Sequence, residues 1–186
     1  MRAKSWPCIF GPWIFENIPT FALNILEQHT AIRPAREALR VSQDRLIEKT
    51  YLNDLGLKTA PFAAVNSFET LTSAISKIGT TAILKTRRFG YDGKGQIRLT
   101  DASDPFEIWQ TLEGQDMILE GFVAFSHEIS VIGARSTSGD IACFDPGENV
   151  HRNGILHTTT LPARLNSSQR TDAILLTAKI MNALNY

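Results

Sequence analysis

The segment that most constrains the fold of this chain is a short apolar run that ends in a lysine and leads into a glycine-rich stretch. The run is Thr81-Ala82-Ile83-Leu84, the lysine is Lys85, and Gly90, Gly93 and Gly95 follow before Gln96. An apolar run of this length is typical of a buried β-strand, which would hold the lysine on a rigid element. Glycines can adopt positive φ and let backbone N–H groups approach phosphate oxygens. The segment therefore predicts a strand, a phosphate-binding loop and a returning strand.

The spacing of these glycines matches neither of the two common nucleotide-binding motifs. Neither G-x-x-x-x-G-K-[ST] nor G-x-G-x-x-G is present in this segment. A glycine-rich loop between two strands is also typical of a plain β-hairpin. Composition alone therefore leaves both interpretations open.

The overall composition indicates a globular protein with its own core. Of 186 residues, 43% are hydrophobic and 20% are charged, and 19 basic residues balance 19 acidic ones. Without a net charge, the chain has no field to attract nucleic acid or an anionic membrane. Cys8 and Cys143 are predicted to be free thiols in a reducing compartment. No apolar run approaches the roughly 20 residues of a membrane span, and prolines interrupt the apolar N-terminus, so a cytoplasmic protein is expected.

Periodicity, capping signals and turn residues predict an α+β chain. Predicted helices cover residues 20–27, 43–55, 68–78, 105–112 and 167–185. Predicted strands cover residues 62–65, 81–85, 96–99, 117–122, 127–134 and 141–144. The last three strands are expected to form the floor of the site.

The literal sequence around the glycines carries a resemblance to a known family. Lys85-Thr86-Arg87-Arg88, followed by Gly90-Tyr91-Asp92-Gly93-Lys94-Gly95-Gln96, resembles the phosphate loop of 5-(carboxyamino)imidazole ribonucleotide synthase, an ATP-grasp enzyme of purine biosynthesis. Six further segments resemble the same family in the same order: residues 15–19, 43–49, 57–62, 118–123, 128–131 and 148–156. The likeness extends from about Ile14 to Tyr186, and the expected fold is a partial ATP-grasp fold, with a small α/β lid subdomain and an antiparallel sheet with helices.

The resemblance implies a role for each part of a nucleotide site. Arg45 and Lys85 match positions that contact the phosphates, and the loop from Gly90 through Tyr91, Asp92, Gly93, Lys94 and Gly95 to Gln96 would close over them. The backbone of Glu120, Gly121, Phe122 and Val123 would bind adenine, and Glu128 the ribose hydroxyls. His151 matches a histidine near the reacting phosphate and bicarbonate. Lys85 and His151 are thus the candidate catalytic residues. Taken singly, each of these residues also fits a plain structural role, as a strand end, a surface charge or a solvated side chain.

The activity implied by the resemblance is that of an ADP-forming carbon–nitrogen ligase. ATP and bicarbonate would give carboxyphosphate, whose carboxyl group passes to 5-aminoimidazole ribonucleotide, in the route to IMP. ATP and Mg²⁺ are the expected cofactors, and bicarbonate and the ribonucleotide are the expected partners. Two alternatives stay open: a non-catalytic nucleotide-binding product of a shortened gene, and an ATP-grasp ligase with a different acceptor. Whether the chain forms the family's homodimer is also left open.

The resemblance covers only part of the family's length. Residues 1–40 would correspond to the end of an N-terminal domain and a linker, and residues 41–186 to a truncated nucleotide-binding domain with its lid at about 57–118. The acidic Mg²⁺ ligands would lie beyond Tyr186, so no metal ligand is predicted here and impaired catalysis is expected. Three local differences stand out: Phe89 replaces a glycine, His157 replaces an arginine, and residues 143–147 replace a Phe-Tyr-Pro-Leu run.

Overall fold

A computed structural model describes residues 18–29, 32–90, 95–112, 114–152 and 154–185. The described helices are α1 (Thr20–Leu26), α2 (Arg36–Ser42), α3 (Arg45–Asp54), α4 (Phe68–Ile78), α5 (Pro105–Thr111) and α6 (Ser167–Ala183). The described strands are β1 (Phe62–Val65), β2 (Ala82–Thr86), β3 (Gln96–Leu99), β4 (Met117–Gly121), β5 (Glu128–Ser130), β6 (Gly133–Arg135), β7 (Ile141–Cys143), β8 (Gly147–Arg152) and β9 (Ile155–Thr160).

A four-stranded antiparallel sheet with strand order β1-β4-β2-β3 forms the first part of the fold. Helices α4 and α5 cover one of its faces. A cluster of buried side chains lies between them, and its members are Val65, Leu71, Ala74, Ala82, Leu84, Leu99, Leu112, Met117 and Leu119. Strand β4 was expected to join the later strands, but it lies between β1 and β2. Its side chains explain the central position, since four of its five residues are buried.

Side-chain alternation along β2 and β4 places charged residues on the other face of this sheet. Leu84 and Leu119 point into the core, so Lys85 and Glu120 point to the opposite side. Lys85 pairs with Ile118 in the register, which makes Glu120 its diagonal neighbour on the same face. The sheet thereby brings together two residues that are 35 positions apart in the chain.

A buried aspartate caps the start of helix α3. Asp44 precedes the helix, and its Oδ1 atom accepts hydrogen bonds from the amides of Leu46 at 2.9 Å and Ile47 at 3.3 Å. The sequence predicted a helix over 43–55, but this cap delays its start to Arg45. Residues 36–42, which the sequence left unassigned, form the separate helix α2. Helix α1 starts at the predicted Thr20.

The remaining strands form two smaller sheets instead of one floor. Strand β5 pairs with β8, and β8 pairs with β9, whereas β6 pairs only with β7 among the described strands. The single strand predicted over 127–134 is therefore wrong. It is interrupted at residues 131 and 132, after which Gly133 packs against α6. A Cβ atom at Gly133 would lie 2.5 Å from Sδ of Met181, so a larger residue here would require the Met181 side chain to move.

Residues 148–156, which by their resemblance to the family were expected to form an active-site loop, form most of a β-hairpin. Glu148 to Arg152 belong to β8, and Gly154, with φ of 78°, lies in the turn before β9. The register shifts between Val150 and His151, a β-bulge that locally changes the direction of the side chains. His151 is thus held on a strand.

Helix α6 starts at the predicted Ser167 and ends at Ala183, two residues before the predicted end, and its apolar face is only partly covered. Met181 is buried, whereas Leu175 is 61% exposed. Asn166 and Gln169 form a reciprocal capping box at its start, with hydrogen bonds of 2.9 and 3.0 Å. None of the described helices combines the length and apolar character that a membrane crossing requires.

Candidate functional site

Lys85 belongs to a small charged cluster, formed with Glu120 and Lys49, on the sheet face opposite the core. Its Nζ atom lies 2.9 Å from Oε2 of Glu120, and the same oxygen lies 3.5 Å from Nζ of Lys49 in α3. The Glu120 side chain is only 9% exposed. A buried carboxylate requires a compensating partner, and here two ammonium groups provide it. The cluster thus keeps a net positive charge beside the glycine-rich loop.

The glycine-rich loop lies between β2 and β3 as predicted. Arg45 contacts the backbone at the start of this loop. Arg45 Nη1 donates to the carbonyl oxygen of Thr86 at 2.7 Å, and Nη2 lies 3.5 Å from the carbonyl oxygen of Gly90. A Cβ atom at Gly90 would lie 2.8 Å from Nη1, so glycine is needed for this contact. Arg45 therefore lies against the loop, where its remaining donors can serve a phosphate group.

The backbone conformation of the loop differs in one respect from the prediction. Gly95 has φ of 69°, as expected, but the other positive φ in the described part of the loop is that of Phe89, at 60°. A non-glycine residue in this region is sterically disfavoured. The Phe89 ring stacks near the Arg88 guanidinium, 5.5 Å from its centroid. Tyr91, Asp92, Gly93 and Lys94 lie outside the described residues, and their predicted contacts stay predictions.

A second ion pair connects the start of α3 to the end of β2. Arg87 Nη2 lies 2.6 Å from Oδ2 of Asp44, and Arg87 Nε lies 3.1 Å from both carboxylate oxygens. Burial raises the pKa of Asp44, but the hydrogen bonds from Arg87 and from the amides of Ile47 and Leu46 outweigh it and hold that pKa below its usual value. The pair fixes the helix that carries Arg45 and Lys49 against the strand that carries Lys85.

The segment predicted to bind adenine lies at the end of β4 and beyond it. The amide of Gly121 donates to the carbonyl oxygen of Pro61 at 2.8 Å, and that of Phe122 donates to Thr81 at 3.1 Å. Within the described part of the chain, the amide of Val123 has no acceptor, and this residue is 49% exposed. Of the predicted segment, Val123 is therefore the residue whose amide can donate to a ring nitrogen.

Glu128 and His151 are brought together across the β5–β8 pair. Oε1 of Glu128 lies 3.2 Å from Nδ1 of His151, and their side chains are 41% and 34% exposed. A carboxylate bound at Nδ1 orients an imidazole and leaves Nε2 free to act. No hydrogen bond or ion pair among the described residues joins this pair to the Lys85 cluster.

Sequence reasoning missed several residues that shape the site. Lys49 follows Arg45 by four positions, so helical spacing alone would have placed both on one face of α3. Asp44 precedes the helix and could have been identified by the preference for aspartate at helix starts. No local signal indicated that Glu120 would lie beside Lys85, because that contact depends on the sheet register.

Replacing Thr86 with valine should stabilise the chain. Oγ1 of Thr86 is buried at the base of the loop and has no hydrogen-bond partner in the structure as described. An unsatisfied buried hydroxyl costs about 1–3 kcal/mol, and valine has the same shape and favours strands, so we expect the free energy of unfolding to rise by about 1 kcal/mol. Urea denaturation of Thr86→Val measures this change in the free energy of unfolding. Thr86→Ser, which retains the hydroxyl, is the comparison. A loss of stability in the valine variant would mean that the hydroxyl has a partner in solution.

Glu148 forms an ion pair with Arg164 beneath the β8–β9 hairpin. Arg164 Nε lies 3.0 Å from Oε2 of Glu148, and the Arg164 amide donates to the same oxygen at 3.1 Å. These hydrogen bonds lower the pKa of Glu148 from 4.5 to about 2. Glu148 lies in the same strand as His151. Its ion pair therefore connects β8 to the segment that precedes α6.

The Glu148–Arg164 pair predicts a contribution to acid stability. Because the pKa is lower in the folded than in the unfolded chain, the contribution is present above pH 4.5 and is lost as the pH falls towards about 2. Comparing the pH dependence of unfolding in wild type and Arg164→Met tests this, since the variant should lose less stability across that interval. NMR titration of Glu148 should show its pKa returning towards 4.5 in the variant. An unchanged titration would contradict the assignment.

The carboxylates of the site are engaged by cationic or imidazole groups. Glu120 contacts Lys49 and Lys85, and Glu128 contacts His151. Among the described residues, no group of three or more His, Cys, Asp or Glu side chains is arranged to hold a metal ion. The described residues therefore supply no preformed cluster of protein ligands for Mg²⁺, an ion that in such sites is commonly held by one or two carboxylates together with phosphate oxygens.

Comparison with known proteins places this geometry in context. The model of the ATP-grasp domain matches residues 50–186. The N5-carboxyaminoimidazole ribonucleotide synthase of Brucella melitensis biotype 1 is 44% identical over 174 residues, which cover 92% of this chain and 48% of that protein. The synthase of the same name from Bacillus subtilis is 36% identical over 171 residues, which cover 92% of this chain and 45% of the other.

A solved structure also resembles this chain in fold. The ADP complex of an N5-carboxyaminoimidazole ribonucleotide synthetase superimposes with a TM-score of 0.86 at 36% identity, covering 92% of this chain and 45% of that one. The chain thus spans about half the length of the curated relatives that it matches.

Proposed function

This chain belongs to the ATP-grasp family, and from that membership we propose that it binds ATP with the triphosphate over Lys85 and the glycine-rich loop. The family and the α+β ATP-grasp fold predicted from the sequence are confirmed. The observation that carries the proposal is the position of Lys85, whose ammonium group is held on a rigid strand at the start of the loop. Arg45 lies against the same loop.

The proposed phosphate contacts follow from charge and geometry. Phosphoryl transfer spreads negative charge over the oxygens of the transferred group, and preorganised cations and amides stabilise that charge. Lys85 supplies a point charge, and Arg45 supplies the guanidinium donors that its two carbonyl contacts leave available. Mg²⁺ accompanies ATP in this proposal, but the described residues assign it no ligand.

The rest of the nucleotide would extend from the sheet edge towards β5. The Val123 amide would donate to the adenine ring, and the Phe122 side chain, over which Arg98 lies at 4.9 Å from the ring centroid, would flank it. Glu128 has a second carboxylate oxygen beyond the one that contacts His151, and this oxygen would accept a ribose hydroxyl. We thus propose adenine contacts for the segment from Glu120 to Val123 and a ribose contact for Glu128.

We further propose that the reaction served by this site is ATP-dependent carboxylation of 5-aminoimidazole ribonucleotide. A bicarbonate oxygen would attack the γ-phosphorus, ADP would leave, and the amine would attack the carboxyl carbon of carboxyphosphate and release phosphate. His151, oriented by Glu128, would lie by the reacting groups. The support is the likeness to the synthases, of which this chain spans about half, together with the resemblance of residues 85–96 to the family's phosphate loop.

Calorimetric titration of the purified chain with Mg-ATP tests the binding proposal. Saturable binding is expected, and Lys85→Ala should weaken it about 10- to 100-fold, because a hydrogen bond to a charged group contributes about 1.5–3 kcal/mol. Lys58→Ala is the matched control, since Lys58 is an exposed lysine outside the cluster. Absence of binding by a chain with native circular dichroism would refute the proposal.

ADP release separates the carboxylation proposal from nucleotide binding alone. Bicarbonate and 5-aminoimidazole ribonucleotide are added to the Mg-ATP complex, and ADP is measured. Release that depends on both additions supports carboxylation. Binding without substrate-dependent release would limit the function of this chain to nucleotide binding, and release with a different amine acceptor would identify another ligase of the family.

A further inference from the structure

Lys49 lies in the charged cluster but has no part in the nucleotide contacts described above. It follows Arg45 by four residues in α3, so both side chains project from one face of the helix. Its Nζ atom lies 3.5 Å from Oε2 of Glu120, and its side chain is only 17% exposed. Arg45 thus contacts the glycine-rich loop, whereas Lys49 contacts Glu120 on strand β4.

The charges of the cluster explain why a second lysine matters. Glu120 and Lys85 alone would form a neutral pair, and the nearly buried carboxylate of Glu120 would oppose an approaching phosphate. Lys49 adds a positive charge to the same oxygen, so the three groups together carry one net positive charge. Because these side chains are largely buried, solvent and salt screen them less than surface charges.

We propose that Lys49 is a positioning residue for the triphosphate. By neutralising Glu120, it leaves the ammonium group of Lys85 available to phosphate oxygens, and it allows Glu120 to hold Lys85 on the sheet face without cancelling its charge. This inference rests on the proposed binding of ATP. It extends that proposal by giving Lys49 a role that acts through Glu120 and does not require contact with the nucleotide.

A purely structural role for Lys49 makes a different prediction. If Lys49 only anchored α3 to β4, its loss would lower stability but would not alter the charge that ATP meets. If Lys49 contacted the phosphates directly, its effect would not depend on Glu120. Affinity, its salt dependence and a double-mutant cycle distinguish these cases.

The experiment measures the Kd for Mg-ATP in the full chain at several salt concentrations. Four variants are compared with wild type: Lys49→Met, Lys49→Arg, Glu120→Gln and the double variant Lys49→Met/Glu120→Gln. Lys58→Met serves as the control, because it removes one exposed lysine elsewhere. Circular dichroism and the urea midpoint establish that each variant is folded at the temperature used.

We expect Lys49→Met to weaken Mg-ATP about fivefold and to reduce the salt dependence of Kd, whereas Lys49→Arg retains both. In the Glu120→Gln background, where no carboxylate needs neutralising, the Lys49→Met change should have an effect smaller than about twofold. Lys58→Met should behave as wild type.

Three results would overturn the inference. A Kd of Lys49→Met equal to that of Lys58→Met, in a wild-type chain that binds ATP, refutes the role of Lys49 and leaves the proposed function standing. An undiminished Lys49→Met effect in the Glu120→Gln background refutes action through Glu120. A folded wild-type chain that binds no Mg-ATP refutes the proposed function and this inference together.

Discussion

Replacing Asp44 with alanine should lower the free energy of unfolding by about 3 kcal/mol, because it removes one partner of a buried ion pair and the cap of α3 together. The Asp44 side chain is 6% exposed, and it accepts hydrogen bonds from Arg87 and from two helix amides. Its loss leaves the Arg87 guanidinium, 23% exposed, without its main counterion. Urea denaturation of the purified variant measures the effect.

Two further variants identify the source of the Asp44 effect. Asp44→Asn retains a side-chain oxygen for the helix amides, so it should lose less stability than Asp44→Ala. Arg87→Met combined with Asp44→Asn should cost less than the sum of the single changes, because the two charges are removed together. Equal losses in the alanine and asparagine variants would show that the cap contributes nothing. Additive losses would show that the ion pair does not form in solution.

Replacing Leu84 with alanine should destabilise the chain by about 2–5 kcal/mol, since it opens a cavity in a fully buried position. Leu84 is 0% exposed and lies between α4 and the central strands. It also immediately precedes Lys85, so loosening β2 should weaken the binding of Mg-ATP as well as the fold. Thermal or urea denaturation measures the first effect, and calorimetric titration measures the second.

Ile83→Ala is the matched comparison for Leu84→Ala. Ile83 is the preceding residue of the same strand, but it faces away from the core and is only partly buried. It should therefore cost less stability. If both variants lose equal stability, the assignment of the two faces of β2 is wrong. If Leu84→Ala binds Mg-ATP as wild type does at a temperature where it is folded, the strand does not hold Lys85 through its packing.

The parts of the fold that sequence reasoning predicted are those encoded by neighbouring residues. The apolar run before Lys85 and the capping signal at Asn66 or Ser67 each act over a few positions, and the structure has β2 and α4 where they were expected, with Ser67 as the cap. Capping, turns and strand alternation depend on local backbone geometry, so they can be recognised in a single sequence.

The errors concern segments whose structure depends on distant partners. Residues 127–134 resemble one strand, but in the structure they divide into β5, which pairs with β8, and β6, which pairs with β7 and packs against α6 at Gly133. The segment around His151 was expected to be a loop because it resembles an active-site loop of the family, yet β5 and β9 pair with it on both sides. Pairing of this kind involves residues that local patterns do not connect.

The candidate site shows the same division between local and distant information. The sequence by itself determined the strand that carries Lys85, the glycine-rich loop and the helix that carries Arg45, because each is specified by residues within one element. Only the tertiary structure decided that Glu120 lies beside Lys85, that Lys49 shares this carboxylate, and that Glu128 meets His151. These contacts require a particular strand order, register and helix position, which are set by the packing of the whole core and not by any single segment.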